Sequence, residues 1–274
     1  LSFAQQVEFR RALSLGIERD QINEVFFLSI GETTGLCRGF EDPTDATKYI
    51  GQDDVVLNAA KGNEILDSLG LDTKDGDGFR LMPSGERLSL PITAIVAAFE
   101  DYPGISEMVA EHWKDNLGVH ATVQSLERSL AGERDVANQV LIDIWESSGR
   151  DAVLITPQHL LAVAGGGNPD RLGMEWFDSG GTAGREPVSS HIREQQTLYT
   201  EGISTSDADR YLEIAQRVVE INCEMVNPIT TVMNKPTYTA IIKRNVHNIP
   251  NPLPFSYHAQ TSGNGFPETW WLDD

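Results

Sequence analysis

The sequence predicts an α/β fold in which a mixed sheet is flanked by helices. Amphipathic helical patterns alternate with short strand patterns, and Gly and Asp-Gly turns separate one from the next. The 274 residues are also enough to bury a substantial core. Together these observations favour an α/β class over an all-helical or an all-β one.

The first predicted elements are helices. In "FAQQVEFRRALSLGIERDQINEVFF", Phe9, Ala12 and Leu13 recur at intervals of three and four, which is typical of an amphipathic helix. Asp20 is expected to be the N-cap of a short second helix, because its carboxylate can accept otherwise unsatisfied backbone N–H groups. A third helix, in "NAAKGNEILDSLGL", is expected to end with Gly70 in the left-handed conformation.

The stretch "DTKDGDGFRLMPSGERLSLPIT" looks like a calcium-binding loop but lacks two of its ligands. With Asp75 and Asp77 at the third and fifth positions and Gly78 at the sixth, the first and twelfth positions fall on Thr73 and Ser84. We therefore interpret "KDGDG" as a turn. It leads into a hairpin of "FRLM" and "RLSLPITAIV", joined by "PSGE".

Helix and strand patterns then alternate. A helix with Trp113 precedes the half-buried strand "GVHATVQSL", and the helix "LERSLAGERDVANQ" precedes "VLIDIW", which suits a strand buried on both sides. Residues 147–190 have few periodic apolar positions and predict a long functional loop. Two helices follow, "SSHIREQQTLY" and one opened by a capping box of Ser206 and Asp209. The chain ends in strands, "ITTVM" and "YTAII", and an irregular tail.

Composition excludes several classes of function. Asp and Glu number 41 against 21 Lys and Arg, and no basic run is interleaved with aromatic residues, so nucleic acid is not an expected partner. Cys37 and Cys223 lack metal-ligand spacing, and whether they form a disulfide or stay free thiols is open. His112 and His120 belong to no zinc motif, and no phosphate-binding or nucleophile motif occurs. We expect no metal, no cofactor and no catalytic residue.

The strongest candidate for a site is the segment around Trp176. Glu175 and Asp178 flank this aromatic ring, which could contact a sugar ring or an apolar side chain while the polar neighbours orient the ligand. The two carboxylates could alternatively be the acid and base of a carbohydrate-active hydrolase. A third reading is structural, with Trp176 and Phe177 fixing the loop to the core.

Several stretches in order resemble the family 5 extracellular solute-binding proteins, the oligopeptide- and dipeptide-binding components of ABC importers. They are "FRRALSLGIERDQINEVFF", "EILDSLGLDTKDGDGFRLMPSGERLSL", "ERDVANQVLIDIW", "EWFDSGGTAGREPVSSHIREQQTLY" and "NPLPFSYHAQTSGNGFPETWWLDD". The resemblance implies one lobe of a two-lobe periplasmic-binding-protein clamp, so we expect a C-terminal fragment without its N-terminal lobe. Residues 1–225 would be the second lobe. Residues 226–274 would be strands and a tail that pack on it or on the absent lobe.

The resemblance also implies a function. The lobes would close on a peptide or, as "SGGTAGREP" suggests, an oligosaccharide, and the monomeric protein would dock on the ABC permease from the periplasm or from a lipid anchor at the cell surface. It implies no catalysis, and the alternative remains the hydrolase using Glu175 and Asp178. The residues that the resemblance places at the ligand are Trp176, Phe177 and Asp178, followed by Asn138, Trp145 and Arg171.

Overall fold

The computed structural model describes residues 3–33, 52–146, 153–163, 169–233, 243–250 and 263–273. Its contacts divide the chain into two units, Leu1–Lys235 and Pro236–Asp274. The helices and strands of the first unit are α1 (Val7–Leu15), α2 (Arg19–Phe27), α3 (Ala59–Ser68), β1 (Ser89–Ile95), α4 (Tyr102–Leu117), β2 (His120–Leu126), α5 (Arg128–Val136), β3 (Ile142–Asp143), α6 (Arg171–Asp178), α7 (Ser190–Gly202) and α8 (Ala208–Glu224). Those of the second unit are β4 (Val246–His247) and β5 (Trp271–Leu272), which pair antiparallel.

Short 3-10 helices complete the described secondary structure. They are Phe3–Gln5, Gln52–Val55, Pro157–His159, Gly263–Gly265 and Pro267–Thr269. Within the described ranges, no helix is both long and apolar enough to cross a membrane.

The sheet of the first unit has the strand order β2-β1-β3, and all three strands are parallel. Helix α4 connects β1 to β2, and α5 connects β2 to β3, so the predicted α/β class is confirmed. In "RLSLPITAIV", Leu88, Leu90 and Ile92 alternate with other residues, which predicts that they share one face, and all three are buried. Their side chains meet a core built with α1, α2 and α4, which includes Phe9, Leu13, Ile22, Ile105, Trp113 and Leu117.

A second core lies around α7 and α8. It consists of buried apolar residues from 153–163 and α8, namely Val153, Leu154, Leu160, Leu161, Val163, Ile214, Ala215, Val218, Val219 and Cys223. Cys223 is not a free thiol. Cys37 lies outside the described residues.

Two predicted helix caps are wrong by one or two residues. Helix α2 begins after Glu18, and Asp20 lies inside its first turn, where its carboxylate accepts a hydrogen bond from the Thr33 hydroxyl at 2.9 Å. Helix α8 is capped by Asp207, one residue after Ser206, through the backbone N–H groups of the first turn. The carboxylate of Asp207 reaches two N–H groups at once, which explains why it is the cap.

The predicted strands are shorter than their sequence patterns. "FRLM" and its predicted partner share one isolated antiparallel bridge, Leu81 with Arg87, instead of a regular strand pair. A second isolated bridge joins Arg80 to Lys74 in the preceding turn. "VLIDIW" contributes only β3, which lies beside β1 at one end of the strand order, so it is not a strand buried on both sides. In "ITTVM", a single bridge joins Met233 to Glu32. "YTAII" lies outside the described residues.

Candidate functional site

The carboxyl ends of the three parallel strands meet at one edge of the sheet. Phe99 follows β1, Arg128 is the first residue of the helix after β2, and Trp145 follows β3. In open α/β sheets, ligands bind in the crevice outside this edge. The topology therefore brings one aromatic or cationic side chain from each strand to the position that is favoured for binding.

These side chains form an aromatic group around Trp145. Its ring centroid lies 5.2 Å from that of Tyr102 and 5.8 Å from that of Phe99, whose ring meets it edge-on. The guanidinium of Arg128 lies over the Trp145 ring at 5.1 Å from its centroid. Tyr102 is buried and anchors the group, whereas Phe99 is 51% exposed. The group thus presents an apolar surface with a positive charge beside it.

Of these four residues, only Trp145 was predicted from the sequence. Phe99 and Arg128 lie just past the carboxyl ends of predicted strands, which is a favoured position for ligand contacts. The sequence did not identify them as neighbours of Trp145 because it gives neither the ends nor the order of the strands.

The segment around Trp176 is a helix, so the prediction of a continuous loop over residues 147–190 is wrong. Asp170 caps α6 by accepting a hydrogen bond from the backbone N–H of Gly173 at 3.0 Å. Met174 is buried, Trp176 is half-buried, and Asp178 is exposed at the end of the helix. Because the segment is helical, Met174, Trp176 and Asp178 differ in their exposure to solvent.

Phe177 packs against the second core, and its ring centroid is 6.3 Å from that of Tyr199. Phe177 therefore attaches α6 to the second core, as the structural reading of the sequence expects. Its contact with a ligand stays a prediction.

Arg171 and Asn138 each contact Asp135. The Nη1 of Arg171 lies 3.4 Å from an Asp135 carboxylate oxygen, and its Nε lies 3.4 Å from a Glu175 carboxylate oxygen. Asn138 has a positive φ of 54° and donates its backbone N–H to the Asp135 carbonyl at 2.8 Å. Arg171 therefore joins α6 to the end of α5.

This arrangement bears on the hydrolase alternative. Glu175 is engaged by Arg171 and lies on the same short helix as Asp178. A glycosidase instead needs its two carboxyl groups on either side of the scissile bond.

The calcium-like stretch is a self-contained turn. One oxygen of Asp75 accepts hydrogen bonds from the backbone N–H groups of Asp77 and Phe79, each at 3.0 Å. Arg87 pairs with both carboxylates, at 2.6 Å from Asp75 and 2.5 Å from Asp77. Burial opposes ionisation, but the Phe79 N–H and Arg87 lower the pKa of the Asp75 carboxyl overall. Both carboxylates are therefore used in shaping the turn.

The sequence model of the bacterial extracellular solute-binding proteins, family 5 Middle, matches residues 2–152. The members of that family are binding proteins of transporters. No curated protein sequence matches the chain.

Solved structures give the same picture of the fold. The oligopeptide-binding protein OppA is 25% identical and has a TM-score of 0.74, with 98% of this chain and 44% of OppA covered. AppA of Bacillus subtilis, in complex with a nonapeptide, is 17% identical with a TM-score of 0.64, and the match covers 100% of this chain and 49% of AppA. MelB of Agrobacterium fabrum, in complex with stachyose, is 17% identical with a TM-score of 0.62, and the coverages are 83% and 33%. This chain spans less than half the length of each of them.

Proposed function

Because the chain belongs to family 5 of the bacterial extracellular solute-binding proteins, we propose that it forms the second lobe of the substrate-capture component of an ABC importer. The observation that carries this proposal is the aromatic group of Phe99, Tyr102 and Trp145, with Arg128, at the carboxyl edge of a parallel sheet. That edge is where α/β lobes offer a ligand surface. The ligand would be held between this lobe and an N-terminal lobe outside the chain.

The ligand is a peptide or an oligosaccharide. Aromatic faces pack on apolar side chains and on sugar rings alike, and carboxylates and amides orient either ligand through hydrogen bonds. Trp145 and Trp176 would supply the faces, and Asp178, Asn138 and Arg171 the polar contacts, with Phe177 behind Trp176. Relatives of both kinds support this range, since AppA was solved with a nonapeptide and MelB with stachyose.

Capture involves no bond making. Ligand binding would shift the population from an open to a closed arrangement of the lobes, and the closed monomer would dock on the permease subunits in the membrane. The protein would act in the periplasm or from a lipid anchor at the cell surface.

Native mass spectrometry of the gently purified full-length protein tests this proposal. A co-purifying ligand with amino-acid mass spacings would make it a peptide importer component, and hexose or pentose spacings a sugar importer component. Hydrolysis of an offered oligosaccharide, lost in Asp178→Asn, would instead support an enzyme. Failure to retain or capture any ligand from peptide and oligosaccharide mixtures would contradict the proposal.

A further inference from the structure

The turn that follows α6 folds back along its own helix. We name Ser179–Gly184 the return turn. Its Gly181 N–H donates to the Trp176 carbonyl at 2.8 Å, and the N–H of Arg185, just beyond the turn, donates to the Leu172 carbonyl at 3.0 Å. These two hydrogen bonds fix the middle and the far end of the return turn against the helix that carries Trp176.

Ser179 ties the return turn together from inside. Its hydroxyl oxygen accepts the backbone N–H of Ala183 at 2.8 Å and that of Thr182 at 3.2 Å. The hydroxyl of Thr182 donates back to the Ser179 carbonyl at 2.9 Å. Such serine turns replace the regular backbone partners of a helix end, so the loop has a defined conformation.

Glycine is required at positions where the return turn approaches the helix. Gly181 and Gly184 have φ values of 86° and 72°, a left-handed region that suits glycine. A Cβ on Gly184 would clash with the Leu172 carbonyl oxygen and would lie 2.6 Å from the backbone nitrogen of Trp176. The backbones of the turn and of the helix are therefore in contact there. A Cβ on Gly181 would lie 3.5 Å from Nε1 of the Trp176 indole. That is an ordinary van der Waals distance, so a methyl group at Gly181 would be in contact with the indole.

The indole Nε1–H of Trp176 differs from those of two other tryptophans in its hydrogen bonding. Trp113 and Trp270 donate their Nε1–H to the carbonyls of Leu13 and Gly265, at 2.9 and 2.8 Å. Trp176 is half-buried, and its Nε1–H donates to no residue in the part of the chain that the structure describes. This N–H is not among the buried polar atoms of the described residues that lack a partner, so it is open to solvent and can donate to a ligand.

We propose that the return turn is a positioning element for ligand binding, in which Ser179 and Gly181 hold the Trp176 indole in the orientation that contacts the ligand. This inference rests on the proposed function, because it assumes that Trp176 is a ligand contact. Preorganisation of that ring removes an ordering cost from binding. The return turn thereby contributes to affinity although its own residues need not touch the ligand.

The chain offers a matched pair of variants to test this. Gly180 and Gly181 both have positive φ values, 63° and 86°, so alanine strains the backbone at either position. A Cβ on Gly180 would meet nothing within 4 Å, whereas a Cβ on Gly181 would reach the indole. The two variants thus differ mainly in their effect on Trp176.

The first measurement is the 19F spectrum of the 274-residue chain labelled with 5-fluorotryptophan, with the Trp176 signal assigned by Trp176→Phe. Gly181→Ala and Ser179→Ala should shift or broaden that signal. Gly180→Ala and Ser179→Thr should leave it in place. Equal changes in Gly180→Ala and Gly181→Ala, or no change in either, would overturn the positioning role without reference to any ligand.

The second measurement is the affinity of the full-length protein for mannohexaose and for a nonapeptide. For the probe that binds, Gly181→Ala should weaken affinity about two- to tenfold, the range of one aromatic contact, and Gly180→Ala should not. A shifted signal with unchanged affinity would overturn the role in binding. If neither probe binds the unsubstituted protein, a ligand captured from peptide and oligosaccharide mixtures replaces them. Failure to capture any ligand from those mixtures contradicts the proposed function, and the spectrum still decides the role of the return turn on Trp176.

Discussion

Arg80 is a buried cation whose hydrogen-bond partners include side chains of α3 and the last carbonyl of α4. Its side chain is 1% exposed, its Nε donates to the Leu117 carbonyl at 2.8 Å, and its Nη atoms donate to Asn63 Oδ1 and Asp67 Oδ1, each at 2.6 Å. We expect Arg80→Met to lower the free energy of unfolding by about 3 kcal/mol, because several acceptors lose their donor in a buried setting. Urea unfolding measures this.

The control for Arg80 is Arg210→Met on the surface. Arg210 pairs with Glu201 and Glu213 but is well exposed, so solvent screens its ion pairs and the change should be much smaller. Equal effects of the two substitutions would show that burial does not set the contribution of Arg80.

His112 makes stability depend on pH. The imidazole accepts the Glu18 N–H at Nδ1 and lies 2.6 Å from Gln21 Oε1 at Nε2, so the neutral ring satisfies both partners. Burial lowers the pKa of His112 below 6.5 against the opposing effect of Glu18. A lowered pKa means that the folded state binds fewer protons than the unfolded state. Stability should therefore fall as the pH drops through about 6.5 towards the folded pKa.

Urea midpoints at pH 8 and pH 5.5 test this expectation with His112→Asn. The variant should be less stable at pH 8 but lose less between the two pH values. His159, whose pKa burial also lowers, should contribute a further dependence of the same sign. A pH dependence as steep in the variant as in the unsubstituted chain would contradict the assignment to His112.

Neither Arg80 nor His112 could be recognised as buried from the sequence. The period of Phe9, Ala12 and Leu13 would place Ser14 on the outer face of α1. Ser14 is nevertheless 1% exposed, because the segment at Val55 and the side chain of Arg19 cover it. Apolar periodicity shows which face meets a core, but it contains no information on polar side chains whose partners are carbonyls far along the chain.

At the scale of elements, α6 is a short helix that depends on its first turn. Asp170 is its N-cap, and helix formation is unfavourable at only eight residues without such help. We expect Asp170→Ala to lower the free energy of unfolding by about 1 kcal/mol, whereas Asp170→Ser should keep most of it. Urea unfolding compares the three proteins. A loss in Asp170→Ser as large as that in Asp170→Ala would argue against capping by the side-chain oxygen.

Helix α4 and strand β1 were predicted correctly, whereas helix α6 and the short extent of β3 were not. The 16-residue α4 has four apolar positions at helical spacing, and in β1 Leu90, Ile92 and Ala94 are apolar and buried at alternate positions. Helix α6 offers only two turns between glycine-rich stretches, and β3 has two residues. In so short a segment, a periodic pattern of apolar residues cannot be distinguished from a chance arrangement. Tertiary contacts therefore decide its secondary structure.

At the scale of the whole molecule, the sheet edge is assembled from distant parts of the chain. Trp145 was predicted through the resemblance, but its neighbours Phe99 and Arg128 required the strand order. We expect Phe99→Ala to weaken binding of the retained ligand by the full-length protein about two- to tenfold with little loss of stability, since Phe99 is 51% exposed. Isothermal titration measures it. Leu130→Ala on α5, also an exposed apolar residue, is the control and should not alter affinity.

The proposed two-lobe capture predicts that this chain folds by itself but binds ligand only weakly. This chain has its own apolar cores, so the 274 residues should unfold cooperatively alone. Binding differs, because a ligand held between two lobes loses half of its contacts when one lobe is missing. A micromolar ligand binds with about −8 kcal/mol, and half of that leaves a millimolar Kd, about a thousandfold weaker. Equal affinity of the 274-residue chain and the full-length protein would place the whole site within this chain and contradict capture between two lobes.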